Sequence, residues 1–352
     1  MMEALRTVIN YITGLYTLPW ILIGFLVTIL LSKFIKEQKI DIAMKKIGLI
    51  LLYFFIPVLL FRIFLNTDFG LNEIKFAIVA SIVIIIMYLL AYFFSIYKIK
   101  KLNLNDTLKQ DFKKTVLTNQ GRSAAFIGGA LLASPWQVEA AIFIALVGVA
   151  LFAIIPWILS YMHRKETKKS IENIHALPWY LRLYPWYLIL FAIIAIVLHN
   201  ITGVKMADFG DIGVVITFYS AITIPAALYY VGAGIHPSDL KISEIKKLFS
   251  LNHNIKSNEH WPWIRNIFLL TVIITPLFIS AFFGILFILG LISSAWLAVI
   301  IINTFLPITS TNMLLVPYGI NKKVTALSVT WTTIICVPVV VLLITLFEIF
   351  LP

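Results

Sequence analysis

A single cysteine, Cys336, stands among 352 residues, so neither an internal disulfide nor a cysteine-ligated metal can be assembled within one chain. Charge is equally scarce, at 12% of residues. Glu139, Asp208, Asp211 and Glu348 lie near the ends of apolar runs and none lies in the middle of one, which leaves a proton relay without a buried carboxylate. His-Glu-x-x-His, Gly-x-Ser-x-Gly and paired buried aspartates are all missing. With no metal site and no activated nucleophile the chain is expected to be no enzyme and to hold no catalytic cofactor. Its six histidines, His163, His175, His199, His236, His253 and His260, show no i, i+4 pair, and are expected at solvated or interfacial positions.

What the chain has in excess is hydrocarbon. Hydrophobic residues make up 61% and mean hydropathy is +0.98, which no soluble domain of this size matches. The net charge of +12 would suggest a nucleic-acid partner in a soluble protein. Here the basic residues cluster in short loops beside apolar runs, so nucleic acid is excluded and the lipid bilayer is the expected partner.

Hydropathy places spans near 15–35, 46–66, 74–97, 136–161, 183–200, 208–235, 264–290, 294–317 and 324–350, each long enough as a helix to cross about 30 Å of hydrocarbon. The first is followed by its main basic cluster, Lys33, Lys36 and Lys39, the reverse of a secretory leader. The stretch 112–134 is weaker, diluted by Thr115, Thr118, Asn119, Gln120, Gly121, Arg122 and Ser123. Counting it as a span puts nearly all lysines and arginines on one side and leaves only Arg6, Lys75 and Lys205 on the other. The positive-inside rule then gives a multi-pass cell-membrane protein of ten spans with both termini outside.

Prolines spell an internal repeat. "LPWILIGFL" from Leu18 matches "YPWYLILFA" from Tyr184, and "IPVLLF" from Ile56 matches "IPAALY" from Ile224. Pro19 to Pro57 is nearly the same interval as Pro185 to Pro225, so order and spacing agree as well as letters. Five is odd, so two five-span units cross in opposite senses, the inverted repeat of secondary transporters. Residues 1–161 form the first unit, 162–182 a cytoplasmic linker, and 183–352 the second. Pro57, Pro225, Pro307 and Pro317 are expected as helix breaks. The fourth and ninth spans are expected to be broken and to cross, because unwound backbone at membrane depth must line a protein or water cavity.

The residues expected at that crossing are Asn119, Gln120, Gly121, Arg122 and Ser123 from the fourth span, with Pro307, Thr309, Ser310, Thr311 and Asn312 from the ninth. Arg122 falls about ten residues, or roughly 15 Å, into its span. Two readings stand for it: a salt bridge to Glu139, or a planar donor fork for an anionic substrate. Arg62, beside Asn66 and Asp68, is expected to reach the headgroup region. Neutral oxygens of Asn119, Gln120, Thr309 and Asn312 suit a sodium ion and suit uncoupled passage equally. Trp20, Trp136, Trp179, Trp186, Trp261, Trp263 and Trp296 fall at span ends, as an aromatic belt requires. "HPSDLKISEIKKLF" from His236 has the pattern of a Ser238-capped amphipathic helix.

Three stretches resemble the auxin efflux carrier family: "IPVLLF" at 56–61, "TNQGRSAAF" at 118–126, where that family commonly shows Asn-x-Gly-Phe-x-Gly-Ile-Pro, and "LPITSTNMLLVPYGINKKVTALSVTW" at 306–331. Asn119, Gly121, Pro307, Tyr318, Gly319, Pro57 and Pro225 match; Arg122 stands for the usual Phe, Ala124 for Gly and Phe126 for Pro. The resemblance implies a permease for organic acids, with a scaffold of spans one, two, six and seven and substrate bound where spans four and nine cross. The expectation is an all-α integral membrane transporter moving a small organic anion by alternating access. Its rivals are a sodium-coupled symporter of the bile-acid type and a ligand sensor that does not transport. The sequence admits a homodimer and does not require one.

Overall fold

The computed structural model describes residues 17–68, 70–102, 106–123, 135–167, 179–233, 260–309, 312, 315 and 318–350. Among the described residues the chain is helical, with no sheet beyond one isolated bridge. Five helical stretches are long and apolar enough to cross a membrane: Ile42–Leu65, Leu71–Lys101, Met206–Thr223, Trp261–Ile288 and Lys322–Phe350. Four shorter apolar helices, Leu22–Phe34, Gln137–Val149, Ile189–Thr202 and Ser294–Phe305, accompany them. Leucine, isoleucine and phenylalanine side chains such as Leu26, Phe93, Ile193 and Leu277 point outward, where only lipid would accept them. The chain is an all-α membrane protein.

In order the helices are α1 (Thr17–Phe34), α2 (Glu37–Ile50), α3 (Ile56–Leu65), α4 (Leu71–Leu102), α5 (Asp106–Thr118), α6 (Gln137–Val149), α7 (Ile155–Thr167), α8 (Trp179–Thr202), α9 (Gly210–Ala233), α10 (Trp261–Phe268), α11 (Thr275–Ile288), α12 (Ser294–Phe305) and α13 (Lys322–Phe350). Helix α7 runs on to Thr167 and α8 begins at Trp179. Much of the expected linker at 162–182 is therefore helical, and its remainder, 168–178, lies outside the described residues, as do the amphipathic stretch from His236, Ala124, Phe126, Ser310, Thr311 and Pro317.

Three pairs, α2–α3, α6–α7 and α10–α11, are single rods joined by π-helical turns, at Leu51–Phe55, Ala150–Ile154 and Leu269–Ile274. Each turn is followed closely by a proline, Pro57, Pro156 or Pro276. A proline has no amide hydrogen and crowds the preceding turn, and widening that turn by one residue relieves both demands without breaking the rod. Pro57 therefore does not break its helix, contrary to the sequence expectation. Pro225 does not either: it sits inside continuous α9. Neighbouring helices and side chains can satisfy the freed carbonyls of such a proline in a membrane.

Inside lipid, helices gain little from hiding apolar surface from one another, so close packing over small residues and interhelical hydrogen bonds hold them. Helix α1 lies along α9 with Gly24 pressed against the backbone oxygen of Tyr229, and a Cβ on Gly24 would also stand 2.9 Å from the Ala233 nitrogen. Thr28 Oγ1 donates to the Ala233 carbonyl at 3.2 Å on the same seam. Helix α8 lies along α3 in the same manner, with Ala192 and Ala195 buried and Phe61 meeting Phe191 edge-on at 6.2 Å. Helix α4 packs on α5, and α11 on α12. Trp136, Trp261 and Trp296, expected in the aromatic belt, are instead buried in the protein, Trp296 against Phe76 at 5.5 Å.

Candidate functional site

Helix α5 ends by tightening. Asn119 N still donates to Thr115 O at 3.1 Å, but the amides of Gln120 and Gly121 reach back only three residues, to Leu117 O and Thr118 O, each at 3.1 Å. Helix α12 ends at Phe305, where Leu306 takes an extended conformation, φ −61° and ψ 147°, as the residue before a proline prefers. Pro307 thus breaks its helix as expected. The two ends then meet. Ser123 N donates to Pro307 O at 3.0 Å and Thr309 N donates to Gly121 O at 3.0 Å, making an antiparallel bridge between Arg122 and Ile308. Freed backbone groups in hydrocarbon must find partners within the protein, and these two segments supply them to each other.

Gly121 is needed for the closeness. A Cβ there would stand 2.8 Å from Asn312 Oδ1 and 3.1 Å from Leu151 Cδ1, so the Asn312 amide lies folded over the bridge. Thr332 Oγ1 on α13 accepts from Ile308 N at 3.1 Å. Asn119 Nδ2 donates to Thr115 O at 2.7 Å and to Thr325 Oγ1 on α13 at 3.2 Å. Asn321 caps α13, its Oδ1 accepting from Val324 N at 3.0 Å, while its own amide donates to Thr115 Oγ1 at 3.0 Å. The crossing is thereby tied to the start of the last helix from two directions.

Arg122 is buried, with 2% of its surface exposed. Nη1 donates to Leu306 O at 3.2 Å and Nη2 to Thr271 O at 3.0 Å. The Thr271 carbonyl is available for a definite reason. In its π-helical turn the Thr275 amide is taken by Leu270 O, and the next residue, Pro276, has no amide to offer. Glu139 stands in the first turn of α6 and is not among the guanidinium's hydrogen-bond partners, so of the two readings the salt bridge is not formed. Placing arginine at mid-membrane costs about 3 kcal/mol on insertion scales, and two hydrogen bonds from a charged donor contribute about 1.5–3 kcal/mol each. Tyr88 and Cys336 lie within electrostatic range of the guanidinium.

Among the described residues, these two segments carry buried polar atoms without a hydrogen-bond partner: Arg122 Nε, Thr118 Oγ1, Asn119 Oδ1, both amide atoms of Gln120 and both of Asn312. Orphaned groups of this kind are costly unless something meets them. Of the residues expected here, Asn119, Gln120, Gly121, Arg122, Ser123, Pro307, Thr309 and Asn312 are all placed at or beside the bridge, while Ser310 and Thr311 lie outside the described residues. The oxygens of Asn119, Gln120 and Asn312 are chemically suited to sodium. A cation brought within about 4 Å of the Arg122 guanidinium would be repelled by about 4 kcal/mol at the effective dielectric of a protein.

Residues beyond the expected set also belong to the site: Thr271, Thr325 and Thr332. Their signal was Pro276, which frees a carbonyl, and the threonine-rich face of α13. Among the described residues no group of three or more histidine, cysteine or acidic side chains is placed to hold a metal. Elsewhere two further expectations change. Arg62 donates to the Thr217 carbonyl of α9 at 3.3 Å instead of reaching for headgroups. His199 is buried, with Nε2 2.7 Å from Asp68 Oδ1 and Nδ1 3.0 Å from Val204 O. Compared with known proteins, the chain matches no family model and no curated sequence at a significant level.

Proposed function

We propose that the chain is a secondary transporter, a permease of the auxin efflux carrier type, that moves a small organic anion by alternating access at the Arg122–Ile308 crossing. The observation that carries this reading is a buried guanidinium with no carboxylate partner among the described residues, held by backbone carbonyls where two interrupted helices hydrogen-bond to each other. Among the described residues no carboxylate is hydrogen-bonded to it, and an entering carboxylate would supply the missing charge. The structure departs from the sequence expectation in one respect. Two guanidinium donors already serve carbonyls, so Arg122 acts by its field and its free Nε–H, while Gln120 and Asn312 offer the hydrogen-bonding groups.

The inverted-repeat architecture of ten spans is supported by how helices pair. If spans one to five repeat as six to ten, the packing of α1 on α9 has its mate in α8 on α3, and that of α4 on α5 in α11 on α12. Helices α1, α2–α3, α8 and α9 would form the scaffold and the crossing the moving core, in a cell membrane with both termini outside. The test is flux of labelled solutes into liposomes holding the purified chain. Uptake of mono- or dicarboxylates, with no uptake of matched amines or neutral analogues, is expected; uptake of none, or of amines in preference, would refute the reading.

A further inference from the structure

The outward face of α4 measures the bilayer. Leu71, Ile74, Ile78, Ile85, Leu89 and Phe93 are exposed at helical spacing, and from Leu71 to Phe93 the helix rises about 33 Å, close to the roughly 30 Å of hydrocarbon. Helix α4 runs on to Leu102, and there its surface changes: Tyr97, Lys100 and Lys101 are exposed. These last turns stand at headgroup depth. Helix α5 packs on α4, and Lys113 on it places Nζ 4.1 Å from the centroid of the Tyr92 ring, level with the end of the apolar stripe. Lys98 Nζ lies 5.4 Å from the Phe94 ring. Among the described residues these are the two lysines held over ring faces. A ring face meets one side of an ammonium and leaves an N–H turned away from it. From Lys98 to Lys114 the sequence holds six lysines against two acids, Asp106 and Asp111, and Lys101 is near enough to Lys98 to repel it. An anion set among such cations relieves that repulsion.

We propose that the corner of α4 and α5, with Lys98, Lys100, Lys101 and Lys113 around Tyr92 and Tyr97, binds the phosphate of an anionic phospholipid headgroup. Depth selects this occupant. The cations begin where the apolar stripe ends, which is where a lipid presents its phosphate, and basic residues beside a span end draw anionic lipid. Tyrosine rings suit the same boundary, apolar in the body and polar at the tip. Helix α5 gives the contact a consequence. It is 13 residues long; Thr115, two positions beyond Lys113, accepts from the Asn321 amide, and Asn119 past its end donates to Thr325. A headgroup on Lys113 braces on the lipid side the helix that α13 braces within the protein. The inference stands on the corner's geometry and does not depend on the transporter reading.

Two measurements on the full chain test it. The first is thermal unfolding in nanodiscs of phosphatidylcholine, with and without phosphatidylglycerol, for the wild type and two triple variants. One variant is Lys98→Gln, Lys101→Gln and Lys113→Gln; the other, a control of equal charge change, is Lys33→Gln, Lys36→Gln and Lys39→Gln. Phosphatidylglycerol should raise the wild-type midpoint by about 2–4 °C, since a ligand of the folded state stabilises it. The corner variant should lose most of that rise and the control should keep it. A wild type indifferent to phosphatidylglycerol, or equal losses in the two variants, would overturn the site. Inorganic phosphate added to phosphatidylcholine discs should leave the wild type unchanged; a rise as large as with phosphatidylglycerol would overturn the lipid as occupant. The second measurement needs no variant to fold: the wild type is irradiated in discs holding a photoactivatable phosphatidylglycerol and the adducts are mapped. Adducts should concentrate in residues 92–114 and be displaced by unlabelled phosphatidylglycerol. Adducts spread over all the lipid-facing helices, or displaced equally by phosphatidylcholine, would overturn the proposal.

Discussion

The amide of Ser123 donates to the carbonyl of Pro307 across 3.0 Å, joining two stretches of chain that each abandon helical geometry beside a helix end. That bond and its mate, Thr309 N to Gly121 O, bring Arg122 against Ile308 and fix where its buried guanidinium sits. Most consequences of the fold run through this junction.

Gly121 can carry no side chain here. In Gly121→Ala the new methyl would meet Asn312 Oδ1 and Leu151 Cδ1, and overpacking of this kind costs about 1–3 kcal/mol. Asn312 can yield by rotating, so the larger loss should be in function. Carboxylate flux is expected to fall at least about tenfold while thermal unfolding shifts by about 2–6 °C. A variant with wild-type flux would show that the amide over the bridge does not touch the substrate path.

The link between α5 and α13 is open to a double-mutant cycle. Asn119→Ala and Thr325→Val each remove the 3.2 Å hydrogen bond between Nδ2 and Oγ1. Each should destabilise by about 1–2 kcal/mol, and the double variant by clearly less than the sum, because neighbours that share one bond are not additive. Additive losses in denaturant or thermal unfolding would mean the two side chains act apart.

Gly24 tests the outer rods. The atoms a Cβ would meet are backbone, Tyr229 O and Ala233 N, and backbone cannot rotate aside. Gly24→Ala should force α1 away from α9, lose the Thr28 hydrogen bond, and destabilise by about 2–3 kcal/mol. Thr28→Val, which removes the bond alone, should cost about 1 kcal/mol or less. Equal losses would contradict the close-packing account.

At the far rim, both ring nitrogens of His199 face acceptors, Asp68 Oδ1 and Val204 O, and protonation lets the ring donate to both. The hydrogen bond from His199, aided by Lys205, holds the Asp68 carboxyl below its ordinary value. A depressed carboxylate adds stability that is complete above its unfolded pKa, about 3.9, and is lost as pH falls through the lower folded one. Asp68→Asn should therefore lower stability at pH 6 and show a flatter decline below about pH 4. Parallel unfolding curves against pH for the two proteins would remove the pair from the acid response.

How much of this was readable in advance depended on distance along the chain. Hydropathy found the helices, and the polar dilution between Thr115 and Ser123 marked a real interruption, because a helix that stops leaves its cause in neighbouring residues. Pro307 announced its own break in the same way. Pro57 and Pro225 did not, since a π-helical turn or a continuous helix absorbs a proline, and that outcome is decided by packing from other rods. The pairing of His199 with Asp68, of Arg62 with the Thr217 carbonyl, and of Arg122 with the Thr271 carbonyl each joins residues far apart in sequence. Burial of Trp136, Trp261 and Trp296 was hidden for a related reason: a tryptophan at a span end has the same sequence neighbourhood whether it faces lipid or protein.

The most direct test of the central claim compares carboxylate flux by the wild type, Arg122→Ala and Arg122→Lys in liposomes, each checked for folding by its thermal unfolding. Arg122→Ala is expected to lose flux by at least about a hundredfold, matching loss of a buried charge-assisted contact of roughly 3 kcal/mol, with Arg122→Lys intermediate because a point charge keeps the field and loses the fork. A folded Arg122→Ala protein that carries carboxylates at the wild-type rate would contradict the account.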